Sequence, residues 1–486
     1  MEKKSMKLNA VLNGIKTFVS ILFPIITFPY ITRVLGADNI GKINFSNSIV
    51  NYFLLIAALG VSSYAIREGA ALRKDRQRIN EFLRQIFSIN LVTMVIAYIL
   101  LAFTLIVSTK IRSYSTIVLI QSLNVFFTVI GVEWVYSIYE DYLYITVRTI
   151  LVQVISLILT FVFVRGADDY VTYVWISVLA SGGANLINFF YAFKYCRLIP
   201  TAHMQIAKHL KPMIILGCNT LAVTIYVNSD ITILGFMKDD YCVGIYSNAV
   251  KIYTVVKQII NALIIVALPR LSALYGNGEY KEYNRLIEKV LKALTLLLLP
   301  VVTGLILLSD ETVVLISGPK YAAGAASLRI LSIAIAFSIL ASFFTTAILL
   351  PRKKEKYILK ATMISALVNI GLNFILIPVF SEKGAAMTTV LAEFLTMTIA
   401  MHYSKGDYAV AGVGGTFLKS LCGCLGIGAV CLGLKSLIGN FVVYTVISIV
   451  CSVIIYGIII VVLKEDIVCG ILKDLIRKIN KGEQDV

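Results

Sequence analysis

Apolar runs of about twenty residues or more follow one another from end to end of the chain. A helix rises 1.5 Å per residue, so each run can cross a hydrocarbon core of ~30 Å. Within that core every backbone N–H and C=O must be paired inside the protein, and a helix pairs them within its own segment. The pattern predicts an all-α integral membrane protein of about fourteen spans, the first near 9–32 and the last near 441–463. Of the 486 residues, 58% are hydrophobic and only 15% charged, a balance foreign to a soluble chain of this length. The basic start, Met1 to Lys7, precedes a run too long for a signal-peptide core and without a small-residue cleavage site, so no removal is expected.

The net charge of +17 suggests nucleic acid until it is mapped. Most Lys and Arg fall in alternate loops: Lys3 to Lys7, Arg67 to Arg84, Lys194 to Lys211, Arg270 to Lys292, Arg352 to Lys360, and the tail after Lys464. Positive loops stay in the cytoplasm, so both termini are expected there, and no nucleic-acid partner is implied. The eight cysteines form no C-x-x-C pair, and His203, His209 and His402 form no ligand cluster. Neither a disulfide framework nor a metal site is suggested.

The stretch "GADNIGKI", Gly36 to Ile43, nearly matches the phosphate-cradling pattern G-x-x-x-x-G-K-[ST]. Such a loop needs a strand before it and a hydroxyl after the lysine to reach magnesium. Here Ile43 replaces the hydroxyl and the preceding residues form an apolar helix containing Pro24 and Pro29, so nucleotide binding is set aside. Gly36 and Gly41 read instead as turn glycines between two spans. The next residues support this, because "FSNSIVNY" at Phe45–Tyr52 returns as "YSNAVKIY" at Tyr246–Tyr253. Ser46/Ser247, Asn47/Asn248 and Tyr52/Tyr253 coincide, and each copy comes after a Leu-Gly pair (Leu35-Gly36, Leu234-Gly235). The echo falls at spans two and eight. It predicts two six-helix lobes, 1–200 and 201–405, related by a pseudo-two-fold along the membrane normal. Residues 406–486 add two further helices and a basic cytoplasmic tail. Secondary transporters built from such repeats hold substrate near the midplane, so a cavity between the lobes is the expected site.

A charge at the bilayer centre costs about 2.5–3.5 kcal/mol on insertion scales, so polar groups inside spans mark cavities or partners. Asn9, Asn13, Lys16 and Ser20 share one helical face, and so do Ser247, Lys251, Thr254, Gln258 and Asn261, with Lys257 on the flank. Thr220, Thr224 and Asn228 form a third such face beside Asp230. Ordinary interhelical hydrogen bonding accounts for isolated Ser and Thr. The lysines instead suggest a water-filled, anion-attracting cavity, although Lys16 could snorkel to the interface. Asp230 either lines that cavity or neutralises one of its lysines. Glu393, mid-span, either carries a coupling proton or pairs with a cavity lysine. Pro24 and Pro29 should kink the first span. Tyr136, Tyr139, Tyr142 and Tyr144 read as an interfacial aromatic belt. The candidate substrate-binding residues are Asn13, Lys16, Asn47, Asn228, Asp230, Asn248, Lys251, Lys257 and Gln258, with Glu393 as the candidate for ion coupling.

"ITFPYITRVLGADNIGKINFSNSIVNYF" and then "LGVSSYAIREGAALR" resemble the first two spans of the O-antigen and capsular polysaccharide flippases. These are polysaccharide transporters of the multidrug/oligosaccharidyl-lipid/polysaccharide exporter superfamily. The resemblance continues through "EWVYSIYEDYLYITVR", by Trp134, Glu140, Tyr144 and Ile145, and through "NIGLNFILIPVFSEKGAAMTTVLAE", which ends on Glu393. The family's Gln-Gly in the former segment is Ser137-Ile138 here, so no role is carried over for that pair. The resemblance implies a flippase, not an enzyme, moving an undecaprenyl-pyrophosphate-linked glycan by alternating access. It implies no cofactor, leaves proton or sodium coupling open, and leaves polysaccharide polymerase machinery open as a partner besides membrane lipids. A multidrug antiporter should show cavity acids rather than lysines. A lipid II flippase would share the cationic cavity. A membrane glycosyltransferase or polymerase would need a large acidic or metal-binding loop, which the short basic loops do not provide.

Overall fold

The computed structural model describes the backbone of residues 6–202, 204–408 and 412–470 and, in the first helix, side chains essentially from Phe23 onward. Every regular element among the described residues is helical. Twelve segments are long and apolar enough to cross a membrane, and two of them, Phe23–Leu72 and Glu355–Ser404, are 50 residues long. Fifty residues extend about 75 Å, more than twice the ~30 Å core. Each long segment contains a break: Gly36 (φ 79°, ψ 170°) lies in the helix Met6–Ala58 and Ser381 (φ 53°, ψ −129°) in the helix Glu355–Ser404. Each long segment covers two of the apolar runs expected from the sequence. The first helix continues through Pro24 and Pro29 and is interrupted at Gly36, where the lack of a Cβ makes the positive φ inexpensive.

The chain forms two compact units, Met1–Ser247 and Asn248–Val486. The boundary lies about 47 residues beyond the expected lobe limit at 200, because the 206–247 segment packs on the Met6–Ala58 helix. Glycines make that close approach possible. A Cβ on Gly41 would lie 1.8 Å from the Asp240 carbonyl oxygen, and a Cβ on Gly244 would lie 2.0 Å from that of Ala37. The near-match to a phosphate loop is thus a backbone-to-backbone packing seam. Tyr114 fastens one end of it, donating to Asp240 Oδ1 at 2.6 Å.

In the first unit one apolar cluster gathers Tyr64, Ile79, Phe82, Leu83, Trp134, Tyr136 and Met213, and another gathers Ile31, Leu35, Ile117, Phe127 and Val174. The aromatic-belt reading needs correction here. Tyr136 is fully buried, Tyr144 stacks on Tyr191 at 3.9 Å, and Tyr139 stacks on Tyr195 at 4.6 Å. Buried Asp141 draws them inward, accepting from Tyr191 at 3.1 Å and Tyr195 at 2.5 Å. In the second unit the helices Val413–Leu437 and Phe441–Val462 pack on each other and on Tyr280–Leu307. The outward faces carry exposed Ile99, Ile106, Val266, Leu425 and Val453, the composition a lipid-facing surface requires.

Candidate functional site

The helix Asp240–Gly276 places Tyr253 and Lys257 four residues apart, on one face. Both reach the same carboxylate oxygen. Lys257 Nζ lies 2.9 Å from Glu393 Oε1, and Tyr253 Oη donates to that oxygen at 3.0 Å. Lys257 also donates to Tyr253 Oη at 3.3 Å, closing a three-membered polar cluster. Glu393 is 6% exposed, whereas the Lys257 side chain is 31% exposed. The acid is enclosed, and the lysine side chain is part-exposed. A buried carboxylate is tolerable only when paired and hydrogen-bonded, and this one has both a cation and a hydroxyl. The ammonium has three donors, and Glu393 and Tyr253 engage two, which leaves one for a further anion.

Around this cluster, Asn261 accepts from Ser342 at 2.5 Å, at the edge of the π-helical turn Phe343–Leu349. Lys251 is half-buried and makes no hydrogen bond or ion pair among the described residues. Gln258 is exposed. Asn248 is fully buried and donates to Ser317 Oγ, a contact that ties its helix to Ser309–Ser317. That enclosure gives Asn248 a packing task and no open face toward a ligand.

The first unit holds the other candidates. Asn51 Nδ2 donates to Asn228 Oδ1 at 3.0 Å, and Asn228 donates to the Thr224 carbonyl at 2.8 Å. Beside them Tyr52 meets Thr232 at 3.1 Å, and Thr232 lies 2.9 Å from Ser48. Asp230 is buried and accepts from Tyr246 at 2.8 Å. Asn47 is exposed, unlike its echo partner Asn248. The side chains of Asn13 and Lys16 lie outside the described residues.

Sequence reasoning passed over Tyr253, Asn51 and Thr232. The echo contained the signal for the first, since Tyr52 and Tyr253 coincide in it, and each tyrosine serves a polar partner on another helix. No group of three or more His, Cys, Asp or Glu able to hold a metal occurs among the described residues. An apolar cavity of about 350 Å³ lies between Tyr280–Leu307, Val413–Leu437 and Phe441–Val462, lined by Leu297, Pro300, Val301, Ile427, Ile449 and Val453 among others.

Residues 8–275 match the family model described as polysaccharide biosynthesis protein. The chain belongs to that family. This family member is 22% identical over 412 residues to a putative O-antigen transporter of Escherichia coli K12, spanning 83% of this chain and 98% of the relative. It is also 22% identical over 382 residues to a capsular polysaccharide biosynthesis protein of Staphylococcus aureus, spanning 77% and 93% respectively. Among solved structures it is similar to a lipid II flippase in an inward closed conformation, with a TM-score of 0.78 and 16% identity over 94% of this chain and all of that one. At that identity the likeness is one of fold: a multi-pass bundle of membrane-spanning helices. The ionic cluster at Lys257 and the amide-hydroxyl strap at Asn228 are two of the polar constellations that the chain's apolar helices carry.

Proposed function

We propose that this protein is a flippase for an undecaprenyl-pyrophosphate-linked oligosaccharide, in the bacterial cytoplasmic membrane with both termini cytoplasmic. The observation that carries the reading is Lys257: an ammonium on an apolar helix, paired with buried Glu393 and carried on a side chain that is 31% exposed. Such a cation is costly against lipid and useful against a diphosphate, and low-dielectric walls strengthen that attraction. Lys251, half-buried and without a partner of its own, supplies a second positive charge on the same helix. The apolar cavity between the last two spans and Tyr280–Leu307 offers a place for a lipid tail.

The pairing also indicates how cargo is held and released. Glu393 and the diphosphate compete for one ammonium. When the anion binds, Lys257 turns from Glu393, and a proton or sodium ion on the carboxylate would favour that arrangement. When the Lys257–Glu393 contact re-forms, the anion leaves. Two arrangements of one ion pair, each favoured by a different ligand, are what alternating access requires of a binding site. The duplicated six-span unit belongs to the same reading, supported by the matching roles of Tyr52 and Tyr253.

Reconstitution tests it. Proteoliposomes holding the purified chain should move undecaprenyl-pyrophosphate-linked oligosaccharide between leaflets. Lys257→Arg should retain part of the rate, and Lys257→Ala or Lys251→Glu should lose it at normal protein levels. Movement of lipid II but not of the glycan-linked lipid would replace this reading with that of a lipid II flippase. Full activity of both Lys257→Ala and Lys251→Ala would remove the cationic site altogether.

A further inference from the structure

The first unit contains a chamber within the apolar zone, about 220 Å³ in volume and lined largely by uncharged polar side chains. It lies among the helices Met6–Ala58, Tyr142–Phe163 and Tyr170–Val178 and the π-helical turn Leu179–Gly183. Most of the side chains lining it carry a hydroxyl or an amide, none is charged, and Phe23, Ile31 and Ile176 give it apolar walls. The volume admits about seven waters at ~30 Å³ each, and is smaller than the ~300–1,000 Å³ of drug-sized pockets.

The hydroxyl hydrogens can be followed one by one. Thr27 donates to the Phe23 carbonyl at 3.0 Å, Thr160 to that of Ser156 at 2.7 Å, and Ser177 to that of Val174 at 2.8 Å. Ser181 donates to Asn124 Oδ1 at 2.7 Å. These four hydroxyls spend their hydrogens within the protein and keep lone pairs for a donor in the chamber. An acceptor-rich, uncharged chamber repels a phosphate, which is itself only an acceptor. A lipid tail would leave those oxygens unpaired, at a desolvation cost. The chamber suits a neutral ligand with O–H donors around its rim and C–H faces for the rings of Phe23 and Tyr173. Ala180 and Ser181 belong to the π turn, and single π turns in long helices recur at functional sites.

We propose that this chamber is a subsite for one neutral sugar ring of the lipid-linked glycan, separate from the lysine cluster. The proposal rests on the flippase reading above. It is tested with the full chain in lipid nanodiscs, by comparing the dissociation constants of undecaprenyl pyrophosphate and of undecaprenyl-pyrophosphoryl-hexose. The sugar-bearing lipid should bind tighter by on the order of tenfold, the yield of one or two net hydrogen bonds. The near-isosteric pair Thr160→Val with Ser177→Ala, and separately Tyr173→Phe with Thr27→Val, should narrow that difference, whereas Lys257→Ala should weaken both lipids alike. A difference that survives both double variants, or none in the native chain, overturns the subsite and leaves the flippase reading standing. Failure of either lipid to bind overturns both. A difference that vanishes when sodium is replaced by N-methylglucamine would assign the chamber to a cation and end the proposal.

Discussion

Lys257 and Glu393, 136 positions apart in the chain, meet at 2.9 Å through the same oxygen that accepts the hydroxyl of Tyr253. Removing one partner strands the other inside the membrane. Lys257→Ala should therefore cost about 3–5 kcal/mol, the penalty of an unpaired buried charge. The double change Lys257→Met with Glu393→Leu should recover most of that loss, because packed apolar groups replace the pair without a desolvation penalty. Transport should stay absent in the double variant. Denaturation in detergent read beside a flipping assay checks both halves. A double variant no more stable than Lys257→Ala would show that the pair is not the source of the loss.

The glycine seam gives a steric prediction. Gly41→Ala and Gly244→Ala each place a Cβ about 2 Å from a backbone oxygen, which cannot swing aside as a side chain can. Each should destabilise the first unit by about 1–3 kcal/mol, the usual cost of overpacking. Gly276→Ala meets nothing within 4 Å and serves as the control, neutral or slightly stabilising. Thermal unfolding of the three variants side by side is sufficient. Equal melting temperatures would mean that the seam opens without cost.

His209 yields a pH dependence. It is 2% exposed and sits near the start of the helix Ile206–Met237, before its apolar span begins. Its Nε2 lies 2.7 Å from Gln85 Oε1 and its Nδ1 lies 2.9 Å from Tyr64 Oη. Gln85 Nε2 donates to Glu81, which leaves Oε1 as acceptor. This fixes a neutral imidazole that donates from Nε2 and accepts from Tyr64 at Nδ1. Burial, and then the charge of Lys208, push its pKa below the ordinary 6.5, and Glu68 opposes them. The unfolded chain therefore binds the proton more readily. The stability this group contributes is complete above pH 6.5 and is lost as pH falls from there through the folded value. Melting temperature should drop between pH 7 and 5 in the native chain and less in His209→Gln. Identical slopes would assign the drop to other groups.

Topology can be checked by single-cysteine labelling in a cysteine-free background. Arg76 and Lys356 are exposed and lie in the first turns of the helices Arg76–Val107 and Glu355–Ser404, in the basic segments expected on the cytoplasmic side. Arg76→Cys and Lys356→Cys should resist an impermeant thiol reagent in intact cells and react after permeabilisation. Reaction from outside at either position would invert the map.

The helical class and the membrane-spanning character were legible in the sequence, because they depend on local quantities. An apolar run of twenty residues has one way to satisfy its backbone in lipid, and a basic loop one preferred side. Lys257 and Glu393 stood out in the sequence as charges inside apolar runs, where a charge is expensive. What each one touches was not legible. Glu393 finds Lys257 and Tyr253 only because the two helices cross at that level, and nothing within a few residues of Glu393 encodes the crossing. Likewise Asn47 and Asn248 occupy the same place in the echo, yet one is exposed and the other is enclosed against Ser317. Periodicity gives the face of a helix, and only tertiary packing decides what that face meets.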